Sequence, residues 1–499
     1  MRGLTPPIGT RRELGLLALA AAILCAPGFL WGPGESHSWI YNVLWTRQIA
    51  EGFARGELYP RWFPESFSGL GSPTFYFYAP FAHWIAGGLE FLGLSTRRAV
   101  QLLSYALLLG SGLAMYAWLR FRGTLPLLGA ILYMAAPYHL ADLYVRGALA
   151  EAAAFVWLPL IAMGIELLPR RKGVVLLAAA FAGLILSHLP TALLACVFLI
   201  LPLAVWRAVK TPAIIAPGIA AAVLGAGLSA VYWLPALTLQ GRISTDLLWS
   251  PYYQPATWFA WRLSPLNLAL FAGAALGWTL LAAPSRTFWS WITLISALAA
   301  LGLIPFVWDL PLLAKAQFPW RLLVVVEFAA ITAIAAHPPK GLELSAGRIV
   351  LVVPVAMMIA QAAVALRAQP DVATVLAIRN EAPEYLPHGL PAAGVSGTQR
   401  TADVSAYDRL PRGARVDVQA AGPVTLGRAA FPIWRITRDG EEIPYRGPLI
   451  TFEARPGVYR IERRVLWQER WGALASGAAA AMLAMLVVLE WRPLRRKML

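Results

Sequence analysis

RRKGVVLLAAAFAGLILSHLPTALLACVFLILPLAVWRAVK, Arg170–Lys210, decides the fold. Two apolar runs, residues 173–188 and 191–206, stand back to back between the basic clusters Arg170–Lys172 and Arg207–Lys210. Lys and Arg gather in loops on the cytoplasmic side of a membrane. The stretch therefore reads as two transmembrane helices whose outer turn is Ser187-His188-Leu189-Pro190-Thr191.

The same pattern repeats outward in both directions. Basic clusters recur at Arg11–Arg12, Arg120–Arg122, around Arg286, around Lys340 and at Arg492–Lys497. If all are cytoplasmic, about twelve spans alternate without conflict: 14–31, 100–119, 124–141, 151–168, 173–188, 191–206, 213–236, 264–283, 288–307, 320–336, 348–366 and 472–491. The condition is that Phe75–Leu94, interrupted by Pro80 and His83, rests on the outer leaflet as an amphipathic or re-entrant segment. The basic N-terminus and the run Leu14–Trp31, with no clear small-residue cleavage site after it, read as an uncleaved first span.

Composition agrees. Of 499 residues, 59% are apolar and 14% charged, with a mean hydropathy of +0.60. A soluble chain carries roughly 25% charged residues, so this one lacks the polar surface to face water all round. The net charge of +16 lies in short loops rather than in a basic run interleaved with aromatics, which argues against a nucleic-acid partner. Twenty-one Trp suit interfacial anchoring. Cys25 and Cys196, both inside expected spans, point to no disulfide framework or zinc cluster.

The expected fold class is thus an all-α polytopic membrane protein with a small β-domain. Residues 1–366 form the transmembrane domain, with a long first outer loop at 32–98. Residues 367–470 form an extracytoplasmic domain, and 471–499 the last span and a basic tail. Within 400–466, alternating runs at Arg415–Gln419, Ile433–Thr437 and Val458–Arg463 predict strands. Asp439-Gly440 predicts a two-residue hairpin turn, because both residues tolerate positive φ.

Polar residues cluster at the outer ends of the expected spans. Glu35 and His37 stand two residues apart after the first span, an arrangement able to serve as a general base or to ligate a metal. Ordinary capping of the following helix by Glu35 is the simpler account of that spacing. Aromatic residues at Glu57–Trp62 and Ser68–Phe81 suit the interface first and sugar or lipid stacking second. The block APYHLADLYVRGALAE, Ala136–Glu151, places His139, Asp142, Arg146 and Glu151 in an apolar setting. A charge at the bilayer centre costs on the order of 2.5–3.5 kcal/mol, whereas an exposed Asp142–Arg146 pair would return only about 0.3–0.5 kcal/mol. Four such groups together predict a functional cavity. His188, Asp246 with Arg242, and Arg321 in AQFPWRLL are further polar intrusions. The Arg321 guanidinium suits a lipid phosphate, or simple snorkelling to the headgroups.

This succession resembles the GT-C superfamily of integral-membrane glycosyltransferases, and within bacteria the membrane family labelled "6-pyruvoyl-tetrahydropterin synthase-related". The resemblance rests on Glu35–His37, Leu58–Trp62, Gly69–Pro80, Pro137–Glu151, Ser187–Thr191, Phe318–Arg321, Glu384–Pro387, Pro432–Trp434 and Asp439-Gly440. It implies transfer of a sugar, with inversion, from a polyprenyl-phosphate donor to an extracytoplasmic glycan, lipid or protein. It also implies an inner-membrane location with both termini cytoplasmic. Glu35 then takes the base position, assisted by His37, although an Asp is more usual there. Asp142 takes the second acidic position, Arg146 and Arg321 hold phosphate, and His139, Glu151 and His188 line the cavity. Glu35, His37 and Asp142 could hold a divalent cation, since metal dependence varies across the superfamily. A lipid or solute transporter and a non-catalytic scaffold of envelope assembly are the rival readings. No convincing internal repeat favours the former, and fold alone does not exclude the latter.

Overall fold

The structure, a computed structural model, describes residues 8–32, 36–245, 247, 250–259, 287–337, 372–378, 381–390 and 414–496. Glu35, Asp246 and the expected spans 264–283 and 348–366 lie outside the described residues. Within them the protein is a multi-pass helical membrane protein with a small β region.

Six helices are long and apolar enough to cross a membrane: Thr10–Trp31, Thr96–Arg122, Leu149–Leu167, Leu189–Lys210, Pro319–Ala336 and Trp467–Leu489. A bent pair, Pro212–Leu228 and Ala230–Thr238, meeting at 72°, would make a seventh. Two expected spans form shorter helices, Arg171–Ser187 and Phe288–Ala300. The expected span 124–141 is not one helix. Pro137 removes an N–H and disfavours helical geometry at Ala136, whose ψ is 143°. The chain therefore breaks into Pro126–Met134 and Pro137–Ala141, followed by a wide turn at Asp142–Arg146. The segment Phe81–Phe91 has 11 residues, roughly 16 Å of helix, and cannot cross a core of roughly 30 Å.

Burial separates the inner helices from the outer ones. Pro319–Ala336 has 89% of its apolar window buried in protein, against 17% for Thr10–Trp31 and 11% for Trp467–Leu489. The first and last spans thus offer apolar surface to lipid, while Pro319–Ala336 forms the axis of the helical core.

The β region comprises β1 (Ala414–Val418), β2 (Gly422–Ala429), β3 (Trp434–Arg438), β4 (Glu441–Ile443), β5 (Leu449–Ala454) and β6 (Gly457–Arg463). One antiparallel sheet has the order β1-β6-β3-β4, and β2 pairs with β5. The three predicted runs are β1, β3 and β6. Arg438 pairs with Glu441 across Asp439 (φ 49°) and Gly440 (φ 88°), the two-residue turn expected from that dipeptide.

This β region is not a free module. Its apolar core continues into the segment after the first span through Trp62, Phe67, Leu70 and Tyr76. Ala429 N–H donates to Leu70 O (2.9 Å), and the buried Arg428 donates to Pro64 O (3.2 Å). Beside the last span, Arg463 bridges Glu57 and Glu469, each at 3.2 Å. Loop, sheet and last helix therefore form one cap over the helical body.

Candidate functional site

Two segments that the sequence places far apart meet at one end of the helical body. His37 N–H donates to Val145 O (3.2 Å) and Ser38 N–H to Arg146 O (2.9 Å). Asn42 Nδ2 donates to Gly147 O at 2.7 Å from the first turns of helix Trp39–Ala54. Gly147 has φ 58°, and a Cβ there would collide with Ser36 Oγ. Glycine thus serves both the left-handed turn and the close approach. From the other side, the buried carboxylate of Glu327 accepts from Tyr138 N–H (2.6 Å) and His139 N–H (3.2 Å), satisfying donors that a helix N-terminus leaves open.

The turn so fixed presents a charged cluster. Arg146 Nη1 lies 2.5 Å from Asp142 Oδ1 and 2.6 Å from Glu151 Oε2. Arg321 Nε approaches that same Glu151 oxygen at 3.4 Å. Tyr138 Oη donates to Glu151 Oε1 at 2.7 Å. Asp142 and Glu151 are wholly buried, and Arg321 nearly so. Burial and the neighbouring Glu151 push the Asp142 carboxyl well above the usual carboxylate range. Two guanidinium groups thus converge on the Glu151 carboxylate, with Asp142 as the second acidic partner of Arg146. Arg321 also donates through Nη1 to Ala316 O (3.0 Å) and lies over the Phe318 ring, 4.7 Å from its centroid.

This cluster forms part of the wall of a cavity of about 840 Å³. Arg146, Glu151, His188 and Arg321 lie on it together with His37. Burial and the Arg146 charge hold the His37 imidazole below its ordinary pKa, in the neutral form that can accept a proton. The remaining wall is aromatic: Tyr41, Trp45, Tyr78, Tyr253, Trp258 and Trp320 among others. Glu384 and Tyr385, carried on the 3-10 turn Pro383–Tyr385, also reach the cavity. Burial holds the Glu384 carboxyl above its usual range.

Of the residues singled out in the sequence, His37, Arg146, Glu151, His188 and Arg321 thus share one cavity. Asp142 stands behind Arg146 rather than on the wall. His139 is a correction. Its ring stacks on Phe155 with centroids 3.8 Å apart, and Nδ1 contacts Tyr133 O at 2.9 Å, so it is a core residue and not a lining one. Arg242 lies on a separate, open cleft of about 540 Å³ beside the β region.

Sequence reasoning missed three acids. Glu327 interrupts an apolar helix, a signal equal to that of Glu151 but passed over. Glu381 and Glu384 sit in an irregular stretch where no periodicity marks them, although Glu384–Pro387 was among the segments carrying the family resemblance. Among the described residues no group of three or more His, Cys, Asp and Glu is placed to hold a metal. Arg146 already occupies the carboxylates of Asp142 and Glu151, where a divalent cation would have to displace it. Cys25 and Cys196 are free thiols.

No family model matches the chain, the pterin-synthase-related label included, and no curated protein matches it. Two solved structures of the arabinofuranosyltransferase AftD from Mycobacteria share 19% identity with it, one of them an arginine-to-serine mutant. The matches cover 72% of this chain, with TM-scores of 0.47 and 0.46. They cover 27% and 29% of the AftD chains, so this chain spans less than a third of their length, and with TM-scores below 0.5 the likeness does not bear on activity.

Proposed function

We propose that the chain is a GT-C-type membrane glycosyltransferase, moving a sugar from a polyprenyl-phosphate donor to an extracytoplasmic acceptor. The observation that carries this reading is the convergence of Arg146 and Arg321, from distant segments, on one Glu151 oxygen at the wall of a large cavity. A transferase of this kind must stabilise a phosphate as the bond to the sugar breaks, and preorganised cations at that oxygen supply the stabilisation. Arg321 Nη2 makes no hydrogen bond to a described residue and is the donor best suited to the task.

In this reading the acceptor hydroxyl loses its proton to Glu35, assisted by the neutral His37, and its oxygen attacks the anomeric carbon. The bond from that carbon to the phosphate oxygen breaks on the opposite face, and the phosphate leaves into the grip of Arg321 and Arg146. Asp142 and Glu151 hold the two guanidinium groups, and His188 lines the cavity. The active face lies outside an inner membrane, with both termini cytoplasmic.

The test uses the full chain in lipid nanodiscs with polyprenyl-phosphate-linked sugars, following release of polyprenyl phosphate. Glu35→Gln should abolish release while preserving expression and thermal stability. Unchanged release would sink the base assignment. Failure of the wild type to bind polyprenyl phosphate at all would leave a transporter or scaffold as the better account.

A further inference from the structure

The acids of the cavity are not equivalent. Glu151 is fully engaged: Tyr138 takes one oxygen, and two arginines meet the other. Glu384 lies on the same cavity with no cationic partner among the described residues. A half-buried carboxylate without a counter-charge is costly to keep, and such groups concentrate where a ligand supplies what the protein withholds.

Its mounting is rigid. Tyr385 N–H donates to Ala382 O and Leu386 N–H to Pro383 O, both at 3.1 Å, closing the turn. Ser244 N–H donates to Leu386 O (2.8 Å) and His388 N–H to Arg242 O (3.1 Å), tying the segment to the loop after the bent helix pair. On its other side, Glu381 accepts from Trp45, Ser66 and Thr74 of the segment after the first span at 2.8–3.0 Å. Two distant segments thus clamp the Glu384 turn in place, as a functional side chain requires.

The chemistry around it is selective. An ionised carboxylate only accepts hydrogen bonds, so its ligand must bring donors. Tyr41 and Tyr253 both feel the charge of Glu384, and Tyr385 follows it in the chain. Aromatic faces beside an acceptor suit the alternating C–H and O–H faces of a sugar. They also suit an ammonium ion, but Arg146 and Arg321 on the same cavity repel a cation and leave a neutral sugar unaffected. Tyr78 feels Arg321 and Arg146 as well as Glu384, so the cationic and carboxylate regions are neighbours.

We infer that Glu384, with Tyr41, Tyr253 and Tyr385, forms the subsite that holds the hydroxyl groups of a neutral sugar acceptor; the inference rests on the transferase reading above. Glu384 fixes one or two hydroxyls while the aromatic rings cover the sugar face.

The experiment titrates the full chain, in nanodiscs free of alkyl glycosides, with methyl pyranosides, methyl furanosides and their disaccharides, read by saturation-transfer NMR. At least one should bind saturably. Glu384→Gln should weaken it fivefold or more and leave polyprenyl-phosphate binding unchanged, whereas Arg321→Met should do the reverse. If Glu384→Gln does not fold, Tyr253→Leu should show the same fivefold loss. Wild-type protein that binds no glycoside or binds tetramethylammonium in its place overturns the inference, as does glycoside binding that is unchanged by Glu384→Gln or, where that variant does not fold, by Tyr253→Leu. Loss of the transferase reading appears separately, as wild-type protein that does not bind polyprenyl phosphate.

Discussion

Arg321 Nε stands 3.4 Å from Glu151 Oε2, the same oxygen that Arg146 meets at 2.6 Å. Glu151 is therefore the one carboxylate that both Arg146 and Arg321 meet among the described residues. Removing its charge exposes the arginines to each other. Breaking a buried pair in this way costs about 3–5 kcal/mol, so Glu151→Gln should lower the thermal midpoint markedly. Millimolar inorganic pyrophosphate should restore part of that loss and stabilise the variant more than the wild type. A variant that melts like the wild type, or gains nothing from pyrophosphate, would remove the basis for an anion site.

Substitution of Arg321 separates charge from geometry. Lysine retains the charge but lacks the planar fork that matches two phosphate oxygens. Arg321→Lys should therefore weaken polyprenyl-phosphate binding tenfold or more, and Arg321→Met further still. Equal binding by the lysine variant would mean that the side chain merely snorkels to headgroups.

Asn42 is the test of whether the segment after the first span and the Asp142–Arg146 turn must be joined. Its Nδ2 is buried and donates to Gly147 O at 2.7 Å. Asn42→Leu removes one of the two donors to that carbonyl, which keeps Leu149 N–H at 3.0 Å, and takes Oδ1 from His83 Nε2 (3.3 Å), at a cost of about 1–3 kcal/mol. Transfer should fall more steeply than stability, because His37 and Ser38 hang on the same junction. A proportionate loss of both would show the contact to be structural only.

What the sequence discloses here is local. The back-to-back apolar runs around His188, the alternation in β1, β3 and β6, and the Asp439-Gly440 turn all follow from short-range periodicity and turn chemistry. The block Ala136–Glu151 stood out because charge in an apolar setting is costly wherever it occurs. Convergence is another matter. Nothing near Glu381 announces that Trp45, Ser66 and Thr74 will surround it, since those partners lie more than 300 residues away. His139 misled for the converse reason: a histidine that looks unsatisfied in sequence finds Tyr133 O and the Phe155 ring close by. Hydropathy alone registers neither the break at Pro137 nor the shortness of Phe288–Ala300, so two of the expected spans differ from the helices that form.

Gly440 offers a control on the cap. At φ 88° an L-residue is strained, so Gly440→Val should cost about 1–2 kcal/mol. Neither Asp439 nor Gly440 reaches the cavity. Transfer at a temperature where the variant is folded should be unchanged. A large loss of transfer in folded protein would mean that the β3–β4 hairpin acts on the site directly.

Glu381 makes stability depend on pH in a defined window. It is 2% exposed, and burial raises its pKa from 4.5 to about 7 in the folded chain, despite hydrogen bonds from Ala382, Trp45, Thr74 and Ser66. The folded state thus keeps a proton that the unfolded chain has already released. Stability from this group is complete below about pH 4.5, falls as pH rises toward about 7, and is level above it. The full loss is on the order of 3 kcal/mol. Glu381→Gln resembles the protonated side chain in shape, and the Ser66 and Thr74 hydroxyls can turn to accept from its amide. The wild type should therefore lose thermal stability between pH 5 and pH 7.5 relative to Glu381→Gln, and the two curves should run parallel from there upward. Parallel curves throughout would show that Glu381 is already ionised at pH 5, and that the four hydrogen bonds outweigh burial.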